Sequence, residues 1–345
     1  MGTKSDKKWY QKNGTEGDVV ISTRIRLARN LEEYPFPMRC SKTLQQEIAE
    51  KVKDSVLNGN SVISSRFSCL DTDNIDAGEK VSLVERHLVS PEFISDKSSK
   101  SLLLFDDESI SIMINEEDHI RLQVMCEGFN LDKAYETASR IDFLLDEHLK
   151  FAFNENLGYL TQCPTNLGTG MRASVMLHLP ALQSSKAMRR ISENLSKLGI
   201  TIRGTYGEGT DSVAALYQLS NQISLGISEK TAIENLKNIA KQLVAQEMKA
   251  REEISKHISV QDRVYRSEGI LKSARLISCD EALKHLSNVR MGITTGLINS
   301  VSLDTVNRLI VEIQPATLMK CVGKQLSPQE RDVVRATLIR NNFNA

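Results

Sequence analysis

Aromatic residues are scarce in this chain, making up 5% of 345 residues with a single tryptophan. Excess charge of either sign is lacking: Lys plus Arg and Asp plus Glu each total 44, so the formal net charge is zero. No overall field therefore draws the molecule to nucleic acid or to an anionic membrane, and neither partner is expected. No apolar run approaches the ~20 residues that cross a bilayer. The opening MGTKSDKKWYQKNGTEGD has no apolar stretch of the signal-peptide kind, which makes the cytoplasm the expected compartment. Six cysteines, Cys40, Cys69, Cys126, Cys163, Cys279 and Cys321, lie far apart with no C-x-x-C pair. That spacing speaks against a zinc knuckle or a disulfide framework and suits a reducing environment.

What is present is an ordinary core-forming composition, 40% hydrophobic and 26% charged, on a chain long enough for more than one domain. After a polar segment, residues 1–17, the text turns apolar in VVISTRIRLARN. There Val19, Ile21, Thr23, Ile25 and Leu27 share period-two spacing while Arg24 and Arg26 take the opposite face. Thr43 to Leu57 reads as a helix stopped by Asn58, Gly59 and Asn60, and Asp71 to Gly78 reads as a second polar loop. The stretch SLLLFDDESISIMINEEDHIRLQVMC alternates as three antiparallel strands. A helix from Leu131 is expected to end near Ala152, because Leu131, Ala134, Ala138, Ile141, Leu145 and Leu149 recur at helical spacing. MRASVMLHLPAL reads as a strand, SSKAMRRISENLSKLG as a helix with a glycine C-cap, and ITIRGTYGEG with SVAALYQLS as a hairpin. The class is α+β: an antiparallel sheet flanked by helices over residues 18–253, then a helical domain over 254–345. In the latter, Ser278 with Glu281 and Ser327-Pro328-Gln329-Glu330 carry N-cap signals and Gly296 is a stop.

The candidate chemistry lies in two sets of residues. Carboxylates occur at the junction of two strands in NEEDH, residues Asn115 to His119, and after a turn in GTYGEG, at Glu208. Arginines adjoin strands or glycine turns at Arg24, Arg26, Arg121, Arg172 and Arg203. Surface ion pairs contribute little and buried cations need partners, so a phosphate clamp accounts for these arginines economically. CPTNLGTG matches neither a Walker A loop nor a dinucleotide loop. A nucleotide would be held by arginine forks and open backbone amides instead. Carboxylates that pin a planar cation and accept a proton, beside a cationic phosphate clamp, are what phosphoryl transfer to a guanidino group requires.

STRIR, SLVERHLVSP, NEEDHIR, CPTNLGTGMR and RGTYGEG, in that order, resemble the signatures of the ATP:guanido phosphotransferases. The resemblance spans Asp18 to near Glu253. It implies that ATP, with Mg²⁺ held mainly by ATP, lies against Ser22, Thr23, Arg24, Ile25 and Arg26, then His87 and Arg121. It extends the site to Arg172, Ala173, Ser174, Val175 and Met176, and to Arg203, Gly204, Thr205, Tyr206, Gly207 and Glu208. It makes Glu117 the main guanidino-binding carboxylate and base, Glu208 its partner, and Cys163 a helper beside the guanidino group rather than a covalent nucleophile.

Small-molecule members of that family carry a helical domain before the STRIR-like segment, where this chain has a short polar stretch. The expectation is an open cleft that admits a protein-borne arginine. The C-terminal RDVVRA resembles the bacterial protein arginine kinases, in which the motif marks an allosteric phosphoarginine site. Here that site would comprise Arg331, Asp332 and Arg335, with Val334 and Leu338 facing inward. The resemblance further implies a homodimer, a cysteine-rich activator protein, a stress-response repressor among the substrates and delivery of marked proteins to an ATP-dependent protease. Two alternatives stay open from sequence: a small-molecule arginine kinase and a catalytically inactive phosphoarginine reader or adaptor.

Overall fold

In the computed structural model, residues 7–59, 63–95, 100–205 and 212–344 are described. Alternation lays down β1 (Val20–Arg29), and the Ser41 hydroxyl accepts from the Leu44 N–H to start α1 (Lys42–Leu57). There follow β2 (Phe67–Asp71), α2 (Ala77–Glu85), α3 (Pro91–Ser95), β3 (Ser101–Phe105), β4 (Ile110–Ile114), β5 (Ile120–Glu127) and α4 (Leu131–Asp146). Two short strands, β6 (Phe153–Asn154) and β7 (Gly158–Tyr159), make a separate ribbon before β8 (Met171–His178), α5 (Pro180–Ser184), α6 (Met188–Ser196), β9 (Ile200–Gly204) and β10 (Leu216–Asn221). The rest is helical: α7 (Glu229–Ile254), α8 (Ile258–Ser273), α9 (Cys279–Thr294), α10 (Leu303–Glu312), α11 (Pro315–Val322) and α12 (Pro328–Phe343).

Eight strands form one sheet in the order β2-β3-β4-β5-β1-β8-β10-β9, and each neighbouring pair is antiparallel. The expected α+β class, an antiparallel sheet with flanking helices and a helical continuation, is what the chain adopts. Helices α4 and α7 cover one face. There Ile25, Leu122, Val124, Ala173, Val175 and Leu219 share a core with Ala134, Ala138, Leu236 and Ala240. Burying each large aliphatic side chain is worth ~1.5–3 kcal/mol, so this face anchors the sheet and leaves the other for chemistry. The C-terminal helices close one end of that second face. Leu216 and Ala214 join Val264, Leu283, Leu286, Leu309 and Ile339 in a second core, with Ile21 and Met176 packed against it.

The sequence expectations differ from the structure at five places. The expected strand MRASVMLHLPAL ends at His178, because Pro180 at N1 starts the short helix α5 (Pro180–Ser184), and the expected helix SSKAMRRISENLSKLG begins only at Met188. A β-bulge between Val20 and Ser22 breaks the alternation of β1, so Ile21 leaves the face of Ile25 and Leu27 and meets the C-terminal helices. The polar stretch Asp71–Gly78 is not a plain loop: Asp71 pairs with Ser101, and the Asp76 carboxylate accepts from the Glu79 N–H to start α2. Helix α4 stops at Asp146. Leu149, Phe151 and Ala152 continue the apolar spacing but lie outside the helix: Leu149 is buried in the turn that follows, its N–H donating to the Leu145 carbonyl at 2.8 Å, while Phe151 bridges Leu31 and the Ala152 N–H donates to the Asn30 carbonyl at 2.7 Å. On α12 the inward face is Arg335, Ala336, Ile339 and Phe343, whereas Val334 and Leu338 are half-buried at its flank.

Candidate active site

Strand pairing brings the arginines together. On β1, Arg24 and Arg26 point away from the core that holds Ile25, and their partners across β8 are Ser174 and Arg172. Across β5, Ala28 pairs with Arg121 and Arg26 with Gln123; on β10, Gln218 pairs with both Met176 and Arg203. Because side chains alternate along a strand, these positions share the face not covered by α4 and α7. The result is a cleft of about 950 Å³ lined by Arg24, Arg26, Arg121, Arg172 and Arg203, together with His87, Glu116, Glu117, Gln123 and Gln218.

The cleft is an electrostatic hole. Arg24 is fixed by its Nε donating to Ser174 Oγ at 3.3 Å and its Nη2 donating to Gln218 Oε1 at 2.5 Å. Burial, then Arg121 and Arg172, push the Arg24 guanidinium down to about 10. Arg26 lies well below its ordinary value through burial and the charges of Arg24, Arg121 and Arg172, against which Glu116 pulls the other way. Burial lowers Arg172 as well, with Arg203 and Arg121 adding to it. The Nε atoms of Arg26 and Arg172 are buried without a hydrogen-bond partner. Buried donors left unmade on crowded cations are costly, so this geometry fits a bound polyanion that supplies acceptors and negative charge together.

The NEEDH turn divides its labour. Asn115 takes a left-handed backbone (φ 59) and donates through Nδ2 to the Gln45 carbonyl at 2.7 Å. Asp118 and His119 are structural. The Asp118 carboxylate accepts from Asn30 Nδ2 at 2.6 Å and the Gln162 N–H at 2.8 Å, and His119 Nδ1 accepts from the Leu31 N–H at 3.0 Å. Burial pushes His119 down to about 4, which keeps it a neutral acceptor. So anchored, the turn presents Glu116 and Glu117 to the cleft, and Arg121 is ion-paired to both, to Glu117 at 3.0 Å. Ser90 donates to Glu116.

A second cavity of about 180 Å³ continues from the first, sharing Arg26, Glu117, Arg121 and Arg172 as a common wall. Cys163, Thr165 and Asn166 line its far side. Asn166 Nδ2 lies 3.4 Å from Glu117 Oε2, and Cys163 Sγ lies 3.0 Å from Thr165 Oγ1. A planar cation entering here would meet Glu117 on one side and the cysteine on another, with a phosphate-sized cationic site directly beyond.

The remaining sequence candidates are placed as follows. Ile25, Ala173 and Val175 send their side chains into the core beneath the cleft. Ser22 is buried, and Thr23 is too, donating to the Gly128 carbonyl at 2.7 Å. Met176 accepts from Thr205 Oγ1 at 3.1 Å, and Thr205 lines the cleft beyond Gly204, the last residue of β9. Tyr206, Gly207 and Glu208 lie outside the described residues. His87 lines the cleft in a left-handed conformation (φ 60), and burial followed by Arg24 pushes it down to about 4. Sequence reasoning passed over Glu116, Asn166 and Gln218; the alternation of β10 signals Gln218, since it places that residue on the same face as Ser220.

In RDVVRA, Arg335 is buried, its Nε donating to the Ile313 carbonyl and its Nη1 to the Ile277 carbonyl, each at 2.9 Å. Asp332 pairs with the same guanidinium at 2.5 Å. Arg331 is half-buried, with Nη1 at 3.5 Å from the Leu326 carbonyl.

Comparison with known proteins adds to this geometry. Residues 47–250 match the family described as "ATP:guanido phosphotransferase, C-terminal catalytic domain" and residues 257–345 match "Protein-arginine kinase McsB C-terminal domain". A "Protein-arginine kinase" of Halothermothrix orenii is 47% identical over 338 residues, covering 97% of this chain and 96% of that protein. One from Clostridium acetobutylicum is 44% identical over 339 residues, covering 98% and 99%. Among solved structures, a lombricine kinase superposes with a TM-score of 0.61 at 26% identity, over 71% of this chain and 70% of its own. A duplicated taurocyamine kinase from Schistosoma mansoni, with bound transition state analog components, gives 0.62 at 26% identity over 79% and 42%.

Proposed function

The chain belongs to the ATP:guanido phosphotransferase family, and from that premise we propose that it is a protein-arginine kinase, moving the γ-phosphoryl group of ATP onto guanidino groups of arginines in other proteins. The observation that carries this reading is the shared wall. The five-arginine cleft and the Glu117–Cys163 cavity meet at Arg26, Glu117, Arg121 and Arg172, an arrangement that supports reading them as a phosphate site and a guanidinium site end to end. Relatives named protein-arginine kinase across nearly the full length, and the matching C-terminal segment, support a protein as acceptor.

In this reading Arg24, Arg26, Arg121, Arg172 and Arg203 donate to the phosphate oxygens and neutralise charge as it spreads in the transition state. Mg²⁺ would enter on the ATP phosphates and supply further charge neutralisation there. The acceptor guanidinium competes with Arg121 for Glu117, freeing Arg121 to turn toward phosphate. Glu117 aligns one nitrogen and takes its proton as the N–P bond forms and the bond from γ-phosphorus to the β–γ bridging oxygen breaks, releasing ADP. Glu208 is the proposed second carboxylate on the guanidinium. Cys163 lends negative character beside the cation without bonding to it.

The division into a catalytic unit, 18–253, and a sensing and dimerising helical unit, 254–345, belongs to the same proposal. So does a phosphoarginine site at Arg331, Asp332 and Arg335. To receive phosphate there, Asp332 must release Arg335 and grip the guanidino end of the ligand, a rearrangement with a regulatory consequence. A cysteine-rich activator, an ATP-dependent protease downstream, a repressor among the substrates and a cytoplasmic setting complete it. The test of the catalytic core is Glu117→Gln, which is expected to abolish transfer to a basic protein while MgATP still binds; undiminished transfer removes Glu117 from its role. For the sensing site, free phosphoarginine should raise the melting temperature of the wild type and not of Arg331→Ala/Asp332→Ala.

A further inference from the structure

Most of the later helices begin on their own serine. The hydroxyls of Ser228, Ser278, Ser302 and Ser327 accept from the first-turn amides of α7, α9, α10 and α12. Helix α11 does not: its N-cap residue, Gln314, makes no side-chain cap. Its first-turn donors go instead to Glu85, far away in sequence. Glu85 Oε1 accepts from the Ala316 N–H at 3.0 Å, and Oε2 accepts from the Thr317 N–H at 2.7 Å and the Thr317 hydroxyl at 2.8 Å. A carboxylate is well placed there, where amides are unpaired and the helix dipole is positive.

Glu85 is the last residue of α2 and lines the nucleotide cleft beside Val84 and His87. The corner it ends is unusual. His87 sits at positive φ, which L residues rarely adopt, and is held by its N–H on the Val84 carbonyl at 2.8 Å and by Gln123 Nε2 on its own carbonyl at 2.8 Å. From behind, Arg335 of α12 grips the Ile313 carbonyl at 2.9 Å, two residues before α11 begins. Hydrogen bonds joined by short stretches of backbone thus link α12, through the start of α11, to the cleft wall.

We infer that Glu85 is a positioning residue for nucleotide binding: by capping α11 it ties the C-terminal helices to the His87 corner, so that order at the start of α11 and nucleotide in the cleft favour each other. The inference rests on reading the cleft as the ATP site. Coupling of this kind is reciprocal, and both directions are measurable.

The experiment combines steady-state kinetics, with MgATP and a basic acceptor protein, and hydrogen exchange on the full chain. Glu85→Gln keeps shape but sets an amide against the Thr317 N–H. It is expected to raise the KM and the Kd for MgATP about tenfold, within the ~5–150-fold span of such couplings, and to leave kcat at saturating ATP within about twofold. Thr317→Val, which removes one of the three donors, should give a smaller shift of the same kind, and the double variant should be no worse than Glu85→Gln alone. In the wild type, MgATP should slow exchange at the Ala316 and Thr317 amides. Unchanged nucleotide affinity, a loss confined to kcat, additive effects, or no slowing at those amides would overturn the inference. If Glu85→Gln fails to fold, Thr317→Val and the exchange measurement decide alone. A wild type that binds no MgATP would overturn the nucleotide reading along with it.

Discussion

Replacing Arg26 by methionine pulls stability and function in opposite directions, and the structure sets the size of each. Arg26 is crowded by Arg24, Arg121 and Arg172, and its Nε has no partner. Its partner across the strands is Arg172, so the two guanidinium groups are taken as ~6 Å apart, within reach across paired strands. At an effective dielectric of about 20, two such charges repel by about 3 kcal/mol. Attraction to Glu116 offsets part of this, and each ~1 kcal/mol of strain left on the pair corresponds to about 2 °C of melting temperature in a chain of this size. Methionine keeps the length and removes both the charge and the orphaned donor. The melting temperature without ligand is expected to rise on that scale. The same change removes two charge-assisted hydrogen bonds to phosphate, about 3 kcal/mol, and so weakens MgATP binding about a hundredfold. Calorimetric melting without ligand and an MgATP titration read the two quantities, and Trp9, whose ring lies 6.2 Å from that of His87, offers a fluorescence signal for the second. A melting temperature that falls, or an ATP affinity that holds, would refute the view that the arginines are mutually strained and kept for a polyanion.

Other outcomes follow from the same geometry. Cys163→Ser should lower turnover without abolishing it, since the cysteine only flanks the acceptor cavity; complete loss of activity in a folded variant would make it more than a helper. Asp118→Asn should cost a few-fold in kcat through Glu117, because Asp118 holds the turn by accepting from Asn30 and Gln162, and kcat equal to wild type would count against that anchoring. Burial holds His87 and His119 at about 4 in the folded protein, below the ~6.5 of an unfolded chain. The unfolded state therefore binds more protons between those values, and stability present above pH ~6.5 is lost as pH falls toward ~4. Urea midpoints across that range should decline, and His87→Gln should flatten the slope; an unchanged slope would show that His87 does not stay neutral.

Much of the sheet was legible because β4, β5 and, beyond its bulge, β1 alternate in sequence, and the same alternation exposed Arg24 and Arg26 as a pair; β2 gave no such signal. Short-range pattern could not show that Arg26 and Arg172 are cross-strand partners, which is a matter of register between β1 and β8. Within NEEDH the sequence offered acidic residues of like chemistry. Only the fold shows that Asp118 is spent on backbone and amide contacts while Glu116 and Glu117 face Arg121. Helix α2 went unseen because its start, Asp76 with Gly78, reads as turn chemistry, yet that same aspartate is an N-cap. From sequence Arg335 was only one of three residues of an expected phosphoarginine site. Two carbonyls and Asp332 make it a buried staple, a long-range role that helical spacing does not reveal.

The central claim, that this protein phosphorylates arginine side chains of proteins, is tested most directly by incubating the chain with MgATP and an arginine-rich protein and mapping acid-labile phosphate by mass spectrometry under non-acidic conditions. Phosphate is expected on guanidino nitrogens of the acceptor, absent with Glu117→Gln, with little transfer to free arginine. Efficient phosphorylation of free arginine with no phosphoarginine on protein would contradict it.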